Sequence, residues 1–157
     1  MIHKKKIFSL AQLIIPWLTV PFMGKRSFFR FLPVASLVNL FISTTSIIAN
    51  KKKWWINKNP ISPGAVDFTY FLGPYFVGTL WIFKLTYGNF SKYLLTNFVI
   101  DSFNAYPYFF ISQKVGLFKF KKWNNTKWGL MSMVWAILIY GIQYLVEQLI
   151  KQKNSDN

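Results

Sequence analysis

Five apolar stretches, separated by clusters of lysine, constrain the fold of this chain more than any other feature. Each stretch is 17 to 23 residues long, and a helix that crosses the hydrocarbon core of a bilayer needs about 20 residues. The pattern predicts an all-α membrane protein, a bundle of about five transmembrane helices with short loops, forming a single integral membrane domain over residues 1–157. The predicted spans are residues 7–23, 31–49, 66–86, 93–112 and 128–150.

The composition agrees with this class and excludes several kinds of active site. Hydrophobic residues make up 53% of the chain and charged residues only 15%, whereas a soluble domain carries about 25% charged residues. The chain has no cysteine, which excludes disulfides, thiolate nucleophiles and cysteine-ligated metals. Its single histidine, His3, excludes a histidine-based catalytic or metal site within one chain. We therefore expect a non-enzymatic protein with no metal and no cofactor.

The net charge of +15 admits two interpretations. In a soluble protein, clustered lysine and arginine would indicate nucleic-acid binding, because these side chains neutralise phosphates. Here the basic residues lie at the ends of the predicted spans, where they follow the positive-inside tendency and meet anionic headgroups. The expected partner is thus a bilayer containing anionic lipids, and not a nucleic acid.

The distribution of basic residues predicts the orientation of the chain. With five spans, twelve basic residues fall on the side of the N-terminus and six on the other. With four spans, the two sides would be equal, so the bias favours five. We expect a multi-pass protein of the cell membrane with a cytoplasmic N-terminus and an extracellular C-terminus. The first side holds Lys4, Lys5, Lys6, Lys51, Lys52, Lys53, Lys58, Lys114, Lys119, Lys121, Lys122 and Lys127, and the second Lys25, Arg26, Arg30, Lys92, Lys151 and Lys153.

The first apolar segment is short and contains Pro16 and Pro21. A basic start followed by an apolar run also resembles a signal peptide, but no small-x-small cleavage site follows the run. A re-entrant or interfacial segment is a second alternative, because proline removes a helical hydrogen bond that only neighbouring protein can replace in lipid. We expect a retained, kinked helix.

Two loops are rich in lysine and aromatic residues. The second loop begins Lys51-Lys52-Lys53-Trp54-Trp55, a run that is typical of a membrane-surface anchor at the headgroup level. The fourth loop alternates apolar and basic side chains over residues 118–123, and we expect it to lie flat on the inner leaflet. A docking site for another membrane protein is the alternative interpretation.

Polar side chains form a narrow stripe along most of the predicted helices. On the fourth span, Asn97, Asp101 and Asn104 recur at helical spacing. Such a stripe faces away from lipid, either as hydrogen-bonding contacts between helices or as the lining of a cavity for a substrate, ion or proton. A second stripe, on the second span, contains Ser36, Asn39, Ser43, Ser46 and Asn50.

Asp101 is the strongest functional candidate, because a carboxyl group near the middle of the membrane is costly to insert. We expect Asn97 and Asn104 to form hydrogen bonds with it. A protonated, hydrogen-bonded carboxyl group is an equal alternative to a charged Asp101 that pairs with a cation, because removal from water raises the pKa of a carboxyl group. Lys84 is the basic residue within a span, and it joins the predicted intramembrane polar cluster of Asn97, Asp101, Asn104 and Lys84. It lies near a helix end, however, so that snorkelling outward is expected more than a direct ion pair.

Two further features concern the third span. Gly73-Pro74 predicts a kink or break, which either allows close packing or opens a cavity. Asp67 follows a Pro-Gly turn and is expected near a helix N-terminus, where the dipole favours a carboxylate.

Segments in the middle third of the chain resemble a known group of proteins. They are the lysine and tryptophan run at 51–55, the sequence Gly-Pro-Tyr-Phe-Val-Gly at 73–78 and the sequence Leu-Trp-Ile-Phe-Lys-Leu-Thr-Tyr-Gly at 80–88. These segments are similar to small, multi-spanning, uncharacterised membrane proteins of spore-forming, low-GC Gram-positive bacteria. The resemblance implies residence in the cell membrane and implies no activity.

Two functional hypotheses follow from the sequence. The first is a non-enzymatic polytopic membrane protein that serves as an accessory or interaction subunit, because no catalytic set is present and the loops are too short for a separate domain. The alternative is a small transporter or a substrate-binding membrane subunit with a polar cavity around Asp101. A membrane enzyme is a third, less favoured class.

Overall fold

The computed structural model describes residues 2–155, so that residues 1, 156 and 157 of the predicted domain lie outside the described part. The chain forms five helical rods joined by short connections. The first rod is α1 (Ile2–Thr19) with a 3-10 turn (Val20–Met23), the second is α2 (Lys25–Lys51), and the fifth is α7 (Asn125–Ser155). The third rod contains α3 (Phe68–Tyr70), a first π turn (Phe71–Tyr75) and α4 (Phe76–Thr86). The fourth contains α5 (Phe90–Phe103), a second π turn (Asn104–Tyr108) and α6 (Phe109–Val115).

Three of the five rods are long and apolar enough to cross a membrane. They cover Ile2–Met23, Lys25–Lys51 and Asn125–Gln152. In the third and fourth rods the longest regular α segments have only 11 and 14 residues, because a π turn interrupts each rod. The structure therefore provides three candidate spans by length and composition, at positions that include the first, second and fifth predicted ones.

Proline accounts for both π turns. The first contains Gly73 and Pro74, and the second contains Pro107. A proline has no amide hydrogen and its ring collides with the carbonyl four residues earlier, so the helix widens locally instead of continuing its regular pattern. The predicted break at Gly73-Pro74 is confirmed, since Gly73 has non-helical backbone angles.

Successive rods run in opposite directions. Lys84, at the end of α4, donates to the carbonyl of Phe22, at the end of the first rod. Lys5 of α1, Lys58 after α2 and Lys119 after α6 line one surface cleft. This cleft lies at the end of the bundle opposite Lys84 and Phe22. We call this end the lysine-rich end, because it contains side chains from the three lysine clusters that the sequence assigned to the side of the N-terminus.

A two-stranded antiparallel sheet closes the lysine-rich end. Strand β1 (Trp55–Asn57) pairs with β2 (Phe118–Phe120), and Trp55 lies opposite Phe120. The sheet departs from an all-α bundle, and the fourth loop forms a strand instead of lying flat as an isolated segment. The alternation of apolar and basic residues in Phe118-Lys119-Phe120 has a period of two, which is the period of a strand.

The predicted surface anchor divides into two parts. Lys51, Lys52 and Lys53 are exposed, which is compatible with contact to lipid headgroups. Trp55 is buried beside Ala49 and Trp128, and Trp54 stacks on Trp123 with ring centroids 4.4 Å apart. The tryptophans therefore pack within the protein, where they fix the sheet to the helices. The buried aromatic group is Trp55, Phe109 and Trp128, with Trp54, Phe118, Phe120 and Trp123 packed against it.

The main core and the outer surface are both apolar. Side chains from the second, third, fourth and fifth rods meet in the core around Leu80, Phe83 and Tyr93. Large apolar side chains are also exposed on the outside of every rod, for example Ile14, Leu40, Leu72, Phe98 and Leu145. An exposed apolar surface of this extent is typical of a protein surrounded by lipid or by partner proteins.

Candidate functional site

Asp101 lies in the wall of a small interior cavity. The cavity has a volume of about 50 Å³ and lies between α2, the third rod, α5 and α7. The side chain of Asp101 is 8% exposed. Among the described residues, its Oδ2 atom has no hydrogen-bond partner although it is fully buried. A buried carboxyl oxygen without a partner costs free energy, so this atom requires a ligand, water or proton. The polar residues that share the cavity are Tyr75, Thr79, Tyr93, Asn97, Asn104 and Ser132.

The two asparagines of the predicted cluster reach the cavity but satisfy other groups. Nδ2 of Asn97 donates to the carbonyl of Tyr93 at 2.9 Å, and Nδ2 of Asn104 donates to the carbonyl of Ile100 at 2.9 Å. Oδ1 of Asn104 accepts a hydrogen bond of 3.0 Å from the hydroxyl of Tyr70. An asparagine side chain within a helix can donate to the backbone carbonyl four residues earlier in place of another side chain. Both residues therefore line the cavity without bonding to Asp101.

Lys84 lies outside this cavity. Its Nζ atom is 3.3 Å from the carbonyl oxygen of Phe22 and 4.7 Å from the centroid of the Trp81 ring. The ammonium group is thus turned towards the end of its rod, as expected for a lysine that snorkels. The structure brings Asn97, Asp101 and Asn104 to one cavity and places Lys84 elsewhere.

A groove on the surface also includes Asp101 in its wall. It has a volume of about 190 Å³, lies between the fourth rod and α7, and includes Asp101 and Ser102 in its lining. Asn125 and Thr126, at the start of α7, line the same groove at the lysine-rich end. Asp101 therefore borders both the cavity and a groove that contains polar groups at the lysine-rich end.

A second polar site, centred on Asn59, was not predicted from the sequence. Asn59 is 1% exposed. Its Oδ1 atom accepts from Oγ of Ser9 at 2.8 Å, and its Nδ2 atom donates to Oδ1 of Asp67 at 2.9 Å and to Oγ1 of Thr69 at 2.7 Å. Asp67 also accepts from the backbone amides of Thr69 and Tyr70, which confirms its predicted place at a helix N-terminus. We call these residues the Asn59 network.

Gln12 connects the Asn59 network to the fourth rod. Its Nε2 atom donates to Oγ1 of Thr69, and its Oε1 atom accepts a hydrogen bond of 2.7 Å from the hydroxyl of Tyr108. The ring of Tyr108 stacks on that of Tyr70 at 4.9 Å. Ser9 and Gln12 are three residues apart in α1 and therefore lie on one face of this helix. Polar side chains thus join α1 to α3 and to the second π turn.

An ion pair joins α2 to α7 at the end of the bundle opposite the sheet. Nε and Nη2 of Arg30 donate to the two carboxyl oxygens of Glu147 at 2.9 and 2.7 Å. Nε2 of Gln143 donates to the same carboxylate at 2.9 Å. Both oxygens of Glu147 therefore have partners, in contrast to Oδ2 of Asp101.

Comparison with family models, with curated proteins and with solved structures finds no match to this chain.

Proposed function

We propose that the chain is a polytopic protein of the bacterial cytoplasmic membrane that crosses the bilayer five times and acts as a non-enzymatic accessory or interaction subunit. The exposed apolar side chains carry this proposal. They cover the third and fourth rods as well as the three longer ones, with Leu72 and Leu85 on the third and Phe98, Phe103 and Phe110 on the fourth. A lipid environment explains why apolar side chains are exposed along all five rods.

The lysines support the orientation with a cytoplasmic N-terminus and an extracellular C-terminus. The lysine-rich end carries exposed cations around the sheet, where Lys52, Lys119 and Lys122 can meet anionic lipids of the inner leaflet. Reporter fusions after Asn50 and after Lys122 should report the cytoplasm, and a fusion after Lys153 should report the outside. A cytoplasmic C-terminus would contradict the five-span proposal.

The proposed role as an interaction subunit is supported by the hydrogen bonds of the polar side chains, which are made within the chain. Those of the Asn59 network and the Arg30–Glu147 pair bond to other parts of the same chain, and the connections between rods are too short for a separate domain. The outer apolar surface of the rods is the largest surface left for a partner protein, beside the exposed lysines around the sheet.

Photo-crosslinking in cells tests this role. A crosslinking amino acid at exposed Phe98 or Leu145 should give one discrete protein adduct, whereas the same amino acid at buried Ala136 should react only within the chain. Adducts with lipid alone at every exposed position would contradict an interaction subunit.

Asp101 favours a second candidate function, a small transporter or a substrate-binding membrane subunit. The observation behind it is the unpartnered Oδ2 atom beside an interior cavity. If the carboxyl group carries a proton or cation, Asp101→Asn should fold normally and abolish flux into liposomes, because an amide cannot exchange a proton. Unchanged flux in this variant would exclude the candidate.

A further inference from the structure

We propose that the cavity beside Asp101 binds one small monovalent cation, held by the Asp101 carboxylate and by neutral oxygens of the surrounding helices. This inference names a ligand class for the second candidate function and rests on the membrane-embedded bundle proposed above. It does not require that the protein transport the ion.

The charge of the cavity sets the charge of the ligand. Of the described residues that line it, Asp101 alone has a carboxylate, and none has a cationic side chain. A single negative charge in a medium of low dielectric constant is strongly destabilised unless a positive charge neutralises it. One monovalent cation restores neutrality, whereas a divalent ion would leave an excess positive charge in the same medium.

The oxygens of the lining set the chemical type of the cation. Tyr75, Thr79 and Ser132 contribute hydroxyl groups, and Asn97 contributes an amide oxygen. The Nδ2 atom of Asn97 already donates to the carbonyl of Tyr93, which leaves its Oδ1 atom free to accept or coordinate. Carboxylate, hydroxyl and amide oxygens are hard ligands and suit alkali-metal ions. The described residues of the lining offer no sulfur or imidazole for a softer metal.

The size of the cavity sets the size of the ligand. About 50 Å³ is room for roughly three to five waters, at about 10–15 Å³ for each. An alkali-metal ion with one or two waters fits this space, and an organic amine of the size of choline does not.

Thermal unfolding of the purified protein in lipid nanodiscs tests the proposal. N-methyl-D-glucamine chloride is replaced stepwise by NaCl, KCl or LiCl at constant ionic strength, at pH 6 and at pH 9. At a cation concentration 100-fold above Kd, the Tm of the native chain should rise by about 5–10 °C, and the rise should be larger at pH 9, where the proton competes less. Asp101→Asn should abolish the rise, and Ser132→Ala should weaken the apparent Kd about fivefold.

Two controls make the outcome decisive. Glu147→Gln removes a carboxylate that already has partners, and it should leave the cation response unchanged. Binding of radioactive ²²Na⁺ or ⁸⁶Rb⁺ to the native chain, displaced by the unlabelled salt, gives a direct readout even if Asp101→Asn fails to fold.

Equal Tm values in all salts at both pH values, together with no displaceable isotope binding, would overturn the proposal. A Tm that depends on pH through Asp101 but not on the cation would show a proton-only site and would overturn it as well. Neither result affects the reporter fusions, which test the five-span proposal separately.

Discussion

Gly73→Ala is expected to destabilise the protein strongly, because the first π turn lies directly against the backbone of α1. A Cβ atom at residue 73 would overlap the carbonyl oxygen of Gln12 and would stand only 3.0 Å from the carbonyl carbon of Gln12 and from Cα of Leu13. Ordinary contacts between carbon atoms are about 3.5–4.0 Å. All three contacts are with backbone, so no side chain can rotate away and the two rods must separate.

The expected loss is at the upper end of the range for overpacking, about 3 kcal/mol in the free energy of unfolding. Separation of the rods would also disturb Gln12, which bonds to Thr69 and to Tyr108. For a chain of this length, 1 kcal/mol corresponds to roughly 2–4 °C in Tm. We therefore expect Tm to fall by about 6–12 °C in a thermal unfolding experiment that follows tryptophan fluorescence in detergent or nanodiscs.

Gly78→Ala is the matched control. Gly78 lies in α4 of the same rod, and a Cβ atom there meets no heavy atom within 4 Å. Alanine is about 1 kcal/mol more favourable than glycine inside a helix, so this variant should be as stable as the native chain or slightly more stable. If both variants unfold within 1 °C of the native protein, α1 does not pack on the π turn, as would also follow if the first segment were cleaved.

Three further changes probe the other contacts. Asn59→Ala leaves buried polar partners unsatisfied and should lower the free energy of unfolding by about 2–3 kcal/mol in denaturant titrations, and a loss below 0.5 kcal/mol would refute the network. Glu147→Gln weakens an ion pair whose partner Arg30 has a half-exposed side chain, so only about 0.2–1 kcal/mol should be lost, and less at high salt. Trp55→Ala should cost about 3–5 kcal/mol in the same assay, because this ring is buried under the sheet; a variant of native stability would show that the ring packs against lipid.

The positions of the rods and of their interruptions could be predicted from the sequence, because both depend on local properties. Apolar runs between lysines gave the five rods to within a few residues, although the helices extend beyond the apolar core into the flanking lysines. Gly73-Pro74 predicted a break, and the second π turn contains a proline in the same way, Pro107. The cap formed by Asp67 followed from the turn before it. Each of these features requires only residues within about one helical turn.

The sheet and the polar partners could not be predicted, because they depend on which rods are neighbours. Nothing in the sequence near Trp55 specifies Phe120 as its partner across the sheet. Asn59 lies in a turn-rich connector, and its role becomes visible only when Ser9 of α1 is placed beside it. Asn97 and Asn104 were expected to bond to Asp101 from their helical spacing, but each found a nearer carbonyl in its own helix. Spacing along one helix therefore predicts a shared face more reliably than a hydrogen bond.

The sheet also has a consequence for the synthesis of the chain. Trp55 and Phe120 are 65 residues apart, and a ribosome that adds about 5–20 residues per second needs roughly 3–13 s to bring β2 out after β1. During this interval β1 has an unpaired edge and the buried site of Trp55 is incomplete, because Phe109 is made only shortly before β2 and Trp128 only after it. An unpaired apolar edge strand invites wrong pairing with other chains. Nascent chains that stall between the third and fourth rods should therefore be the ones that aggregate or are captured by chaperones, while chains that have passed Trp128 should not.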